Sequence, residues 1–184
     1  MTLTETPICN FGEKAKNFNL LSTENRKVSL NDVKGENGTL IIFICNHCPY
    51  VKAIIKDVVQ DVKYLETLGI KSTAIMSNDV KNYPEDSFEN MISFSKFHAF
   101  SFPYVIDDTQ EVAKEYGAVC TPDFFGYNKN LELQYRGRIR ELKDLKPVSQ
   151  GDSDLRTAMK LVATSGKGPK NQIPSMGCNI KWFK

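Results

Sequence analysis

Residues 39–52 read TLIIFICNHCPYVK. The run Leu40-Ile41-Ile42-Phe43-Ile44 is short, unbroken and rich in β-branched side chains, the pattern of a strand buried on both faces. Cys45-Asn46-His47-Cys48 follows, and then Pro49. Beyond it Val51, Ile54, Ile55, Val58, Val59, Val62 and Leu65 recur at helical spacing. A Cys-x-x-Cys therefore sits where a buried strand ends and an amphipathic helix begins.

That placement has chemical consequences. A helix N-terminus offers unpaired N–H groups and roughly half a positive charge, which favours a thiolate. Thiol pKa values in such sites fall from about 8.5 to about 3.5–7.5. The thiolate is the species that attacks a disulfide or peroxide, and a second thiol nearby can resolve the product. Pro49 biases Cys48 toward extended geometry, so the helix should begin at Pro49 with Cys48 as its cap. Cys48 is then nearest the dipole. His47, partly protonated near neutral pH, is placed to stabilise a thiolate, which would make the pair more oxidising; the bland alternative is an exposed loop residue.

Two other readings of the pair are weaker. A structural zinc site needs four ligands, usually two such pairs, and the chain has no second pair. Inert buried cysteines fit poorly with the polar Asn46-His47 between them. No metal and no bound cofactor is expected, because the electrons would come from a dithiol reductant.

At 184 residues the chain suits one domain over 1–184, with an extended arm over 165–184 that is rich in Gly, Pro and Asn. A net charge of +2 gives no field for nucleic acid or an anionic membrane surface. No segment approaches the roughly 20 apolar residues of a membrane span. The N-terminal residues show no basic and apolar signal pattern. The expected compartment is the cytoplasm, where thiols stay reduced. Five cysteines (Cys9, Cys45, Cys48, Cys120 and Cys178) are an odd, irregularly spaced set, which argues against a disulfide framework. Cys178 could bridge to Cys9 or to another subunit, and a reducing compartment favours its thiol. The expected partners are a protein or small-molecule disulfide or peroxide, met by a monomer or homodimer.

Along the chain, residues 1–16 read as an irregular lead-in and residues 18–30 as a hairpin. Residues 70–76 read as a strand, with Ser77-Asn78-Asp79 just past its carboxyl end, where α/β sites gather. A second helix is expected to open at Tyr83-Pro84-Glu85-Asp86, with both acids at its positive end. A short strand at 103–106 follows, then a helix at 111–116 capped from Asp107-Asp108-Thr109 and closed by Gly117. Residues 123–127 and 131–138 form a hairpin, and Asp152-Ser153-Asp154 caps a last helix over 155–164. The order implies an α/β fold: a mixed sheet covered by helices on both faces.

These features together resemble the thioredoxin-like superfamily, and most closely its peroxiredoxin-like (AhpC/TSA-type) branch with a Cys-Asn-His-Cys-Pro-Tyr-Val motif. The resemblance runs through Ala15 to Leu20, Val28-Ser29-Leu30, Asn78-Asp79, Tyr83 to Asp86, Thr121 to Phe125 and Pro174 to Trp182. It implies a thioredoxin fold, an N-terminal hairpin, an ordered C-terminal arm and thiol–disulfide oxidoreduction or peroxidase activity. It names Cys45 as the attacking sulfur and Cys48 as the resolving one, with His47 tuning them. Thr121 and a cis Pro122 would present backbone to a substrate peptide, with Asn46 beside them. Cys120 would lie nearby, as a third redox partner or a buried bystander. Peroxiredoxins carry Pro-x-x-x-Thr-x-x-Cys; aligned on Cys48, Ile41 and Cys45 stand at the Pro and Thr positions. The resemblance offers Arg136 or Arg138 in place of that family's arginine, although strand arginines are mostly solvated. Asp123 reads as a capping or edge residue rather than a proton acceptor, and Tyr50 and Tyr83 as core or as borders of the site.

Overall fold

The computed structural model describes residues 2–7 and 10–184; Cys9 lies outside them. In chain order come β1 (Leu3–Glu5), β2 (Asn19–Ser22), β3 (Lys27–Ser29), β4 (Gly38–Phe43), α1 (Pro49–Glu66) and β5 (Ile70–Met76). A 3-10 turn (Pro84–Asp86) precedes α2 (Phe88–Phe97), β6 (Tyr104–Ile106) and α3 (Glu111–Tyr116). The rest is β7 (Cys120–Thr121), β8 (Asp123–Asn128), β9 (Leu133–Tyr135), β10 (Leu142–Lys143), β11 (Lys146–Pro147), α4 (Asp154–Ser165) and β12 (Met176–Asn179).

Seven strands make the central sheet, in the order β3-β2-β6-β5-β4-β8-β9. At its heart β4 runs parallel to β5 and antiparallel to β8. Leu40, Ile42 and Ile44 face a core shared with Ile54, Ile55 and Val58 of α1, Met91 of α2 and Met159 of α4. Ile41 and Phe43 face the opposite core, with Val28, Val105, Tyr116 and Phe125. Both faces are covered, so the strand needs no polar side chain, and its apolar run is unbroken for that reason. The expected mixed sheet flanked by helices is present.

The ends of the chain depart from the expectation. The lead-in contains β1, and the arm contains β12, which lies between β1 and β7 in a second, three-stranded sheet. The arm packs on its own chain. Beyond β12, Asp79 N–H donates to the Lys181 carbonyl at 2.8 Å, and Lys181 N–H donates to Asn78 Oδ1 at 2.8 Å. Gln110, held in the left-handed region at φ 63, accepts from Phe183 N–H and donates to the carbonyls of Ser77 and Lys181.

One helix start also differs, and another is capped as expected. Tyr83 to Asp86 does not open α2: Ser87 is extended (φ −56, ψ 157), which breaks the chain into a 3-10 turn and a separate helix capped by its own Oγ. Glu85 and Asp86 therefore do not serve the helix dipole. At α3 the cap comes from Asp107, whose carboxylate accepts from the N–H groups of Val112 and Ala113.

Candidate active site

Cys48 is the N-cap of α1, with φ −63 and ψ 123 as a residue before proline prefers, and the helix begins at Pro49. No acid stands in the first turn to oppose a thiolate there. Cys45, at the end of the β4 run, and Cys48 are both fully enclosed, each 0% exposed. Across from them the Thr121–Pro122 peptide is cis. Cys45 Sγ lies 3.4 Å from Thr121 Oγ1, and Cys48 Sγ lies 3.2 Å from the Thr121 carbonyl oxygen. Cys178 of β12 completes the group, its Sγ 3.1 Å from that of Cys48.

The two cysteines of the motif are not equivalent. The hydrogen bond from the Cys45 thiol pulls Cys48 down to about 5, against the effect of burial; the Cys178 thiol and the N–H groups of Val51 and Cys178 act in the same direction. Cys45 moves the other way, because its bond to Cys48, its burial and the Asp86 charge all hold its proton on. Cys178 is pushed up to about 12 by burial and by its bond to Cys48. These directions favour the thiolate at Cys48 over Cys45, the sulfur that the resemblance names as attacking.

His47 does not act alone. Its Nδ1 donates to Asp86 Oδ2 at 2.7 Å, and its ring stacks on Tyr83 at 5.8 Å. The bond to Asp86 raises the imidazole above its usual value. A cation forms there readily, but a carboxylate neutralises it, and Cys48 owes its shift to thiols and amides before His47. Asp86 also accepts from Asn46 N–H at 2.8 Å, His47 N–H at 3.3 Å and Asn78 Nδ2 at 2.8 Å. Sequence reasoning missed this residue. The signal was available only as an acid three residues past Tyr83 on a segment that read as a helix start.

Asn46 holds the turn: its Nδ2 donates to the Glu85 carbonyl and its Oδ1 accepts from the Tyr104 hydroxyl at 2.9 Å. Its side chain is thus committed to protein partners. Cys45, His47 and Asp86 bring ligand atoms within 4.8 Å of one another. Ligands about 2.1 Å from a tetrahedral ion stand roughly 3.4 Å apart, so the 2.7 Å His47–Asp86 contact fits a hydrogen-bonded pair better than two metal ligands.

Other residues that the sequence singled out lie elsewhere. Arg136 is not solvated: it is buried against Asp123, with Nη2 donating to Oδ2 at 2.9 Å and to the Gly117 carbonyl, and its guanidinium lies over the Phe125 ring. Asp123 is correspondingly a buried ion-pair partner that also accepts from Val119 N–H. Arg138 pairs with Asp154 at the start of α4. Burial pushes the Cys120 thiol well up, and its Sγ contacts the Pro122 carbonyl. Tyr50 packs against the α1 core.

A sequence model of the AhpC/TSA family matches residues 11–142. No curated protein matches the chain. Among solved structures, an uncharacterised conserved protein from Geobacillus kaustophilus is 38% identical, with a TM-score of 0.94 over 100% of this chain and 97% of that one. A hypothetical protein from Sinorhizobium meliloti 1021 is 34% identical, with a TM-score of 0.90 over 98% of each. The thioredoxin domain of a thiol-disulfide oxidoreductase from Bacteroides vulgatus is 15% identical, with a TM-score of 0.59 over 70% of this chain and 89% of that one. That last likeness establishes the thioredoxin-like fold.

Proposed function

Since the chain belongs to the AhpC/TSA family, we propose that it is a thiol–disulfide oxidoreductase in which Cys48 attacks and Cys45 resolves. The observation that carries this reading is the asymmetry of the pair: Cys48 caps α1 at Pro49, with no acid in the helix's first turn, whereas Cys45 lies at the end of the β4 run, where burial and the Asp86 charge favour its thiol. The Cys48 thiolate attacks one sulfur of a substrate disulfide, and the other sulfur leaves as a thiolate that takes a proton. Cys45 then attacks Cys48 Sγ, passing its proton to the departing second half. One substrate disulfide becomes two thiols while the protein dithiol becomes a disulfide, to be reduced again by another dithiol.

His47 and Asp86 act here by holding the Asn46-His47 turn rather than by supplying a bare positive charge. His47 lies beside a groove lined by Lys52, Glu85, Phe94 and Phe97, with Phe97 84% exposed. We take this face as the approach to the pair. No helix of the described residues is long and apolar enough to cross a membrane.

One observation favours a second reading, a thiol peroxidase. Both sulfurs are enclosed, and a peroxide reaches an enclosed thiolate more readily than a folded protein does. The two reactions differ in that peroxide oxidises Cys48 to a sulfenic acid before any disulfide forms. Rapid mixing of the reduced protein with a disulfide and with hydrogen peroxide, in wild type, Cys45→Ser and Cys48→Ser, separates them. Disulfide exchange that needs both cysteines and outruns peroxide consumption supports the oxidoreductase. Faster peroxide consumption that persists in Cys45→Ser makes the protein a peroxidase.

A further inference from the structure

β7 is two residues long, and the edge it presents beside the cysteine pair is already filled by the chain itself. β12 pairs with it antiparallel, Cys178 opposite Thr121 and Asn179 opposite Cys120. The approach is close: a Cβ on Gly177 would stand 2.0 Å from the Thr121 carbonyl oxygen, so a glycine is required for the two backbones to meet. Ser175 Oγ–H donates to the Pro122 carbonyl at 2.7 Å, and β1 holds the other side of β12. This register delivers the Cys178 sulfur to 3.1 Å from that of Cys48. A disulfide is about 2.05 Å long, so about 1 Å of closure joins them.

We propose that Cys178 is a third redox-active cysteine, and that β12 serves Cys48 as a built-in substrate strand whose Cys48–Cys178 disulfide exchanges with Cys45–Cys48. The inference rests on the reading of Cys48 as the attacking sulfur. After Cys48 has formed a mixed disulfide with a substrate, Cys178 attacks Cys48 Sγ. The bond to the substrate breaks, and the proton of Cys178 passes to the departing substrate sulfur. Two protein thiols are oxidised and one substrate disulfide is reduced, as in resolution by Cys45. From a Cys45–Cys48 disulfide, the same attack frees Cys45 as a thiol with no net electron transfer.

Three features favour the attack. Both residues are nearly sealed, Cys48 at 0% and Cys178 at 3% exposed, so few external thiols compete. Conversion of Cys48 from thiolate to disulfide removes one of the two main influences that keep Cys178 protonated, and the Lys181 ammonium favours the Cys178 thiolate. Asn78 joins the arm to the turn, linking Lys181 N–H to Asp86.

Trypsin separates the outcomes. Cys45 and Cys48 share the peptide 35–52, Cys178 lies in 171–181, Cys9 in 1–14 and Cys120 in 115–129. Reduced Cys45→Ser is treated with glutathione disulfide, quenched by alkylation and mapped by mass spectrometry. The expected product is peptide 35–52 joined to 171–181, with no retained glutathione. Cys45→Ser/Cys178→Ser is expected to keep glutathione on Cys48. If Cys45→Ser instead retains glutathione on Cys48 while Cys178 is alkylated, the third-cysteine proposal fails and the attacking role of Cys48 stands. If Cys48 takes up no glutathione in either variant, both fail.

Discussion

Replacing Cys45 with alanine removes the strongest influence that favours the Cys48 thiolate, the hydrogen bond donated by the Cys45 thiol. A hydrogen bond to a charged group contributes about 1.5–3 kcal/mol, and one pKa unit corresponds to about 1.36 kcal/mol. The midpoint of Cys48 should therefore rise from about 5 by roughly one to two units in Cys45→Ala. At pH 6 the thiolate fraction would fall from roughly nine tenths to between about one half and one tenth. The assay is the ultraviolet thiolate absorbance followed against pH, with Cys45→Ala/Cys48→Ser as the blank. Alkylation rate is a poorer readout, because a thiolate of higher pKa is intrinsically more nucleophilic and masks part of the loss. A midpoint that stays put or falls in Cys45→Ala would refute the reasoning.

Other perturbations test other parts of the site. Asp86→Asn should cost about 2–3 kcal/mol in denaturant unfolding and move the His47 resonance titration back toward its usual 6.5. The pH dependence follows from the directions. His47 is raised, so its contribution is complete below about 6.5 and lost as pH rises through the raised value. Asp86 is lowered despite burial, by His47 and Asn78, so its contribution is present above about 3.8 and lost as pH falls through the lowered value. The wild type should lose stability on both sides, and Asp86→Asn should lack both declines. Gly177→Ala should push β12 off β7, seen as faster amide exchange over residues 176–179 and faster alkylation of Cys48. Asp123→Ala leaves the Arg136 charge buried and should cost about 3–5 kcal/mol on unfolding, whereas an exposed charge such as Glu24 should cost little.

The strand, the cysteines and the helix were legible because local rules converge on them. A doubly covered strand must be apolar throughout, α1 repeats at helical spacing, and Pro49 makes Cys48 its cap. The arm was harder to read. Met176-Gly177-Cys178-Asn179 has no strand pattern, and it pairs because a glycine lets its backbone approach Thr121, a contact 56 residues away in sequence. Nothing local places Cys178 against Cys48. Asp86 was misread because an acid after Pro84 fits a helix start equally well, and only the extended Ser87 turns it inward. Arg136 was read as solvated because a strand's two faces look alike until the cross-strand partner, Asp123, is known.

The account turns on which sulfur strikes first, and a trapping experiment reads that directly. Reduced Cys45→Ser/Cys178→Ser and Cys48→Ser are mixed with the same small disulfide near pH 8, quenched at intervals, and peptide 35–52 is sequenced by mass spectrometry. The account predicts rapid capture of the substrate half on Cys48 in the first protein and little capture on Cys45 in the second. Rapid capture on Cys45 in Cys48→Ser, with Cys48 slow in the other, would contradict it.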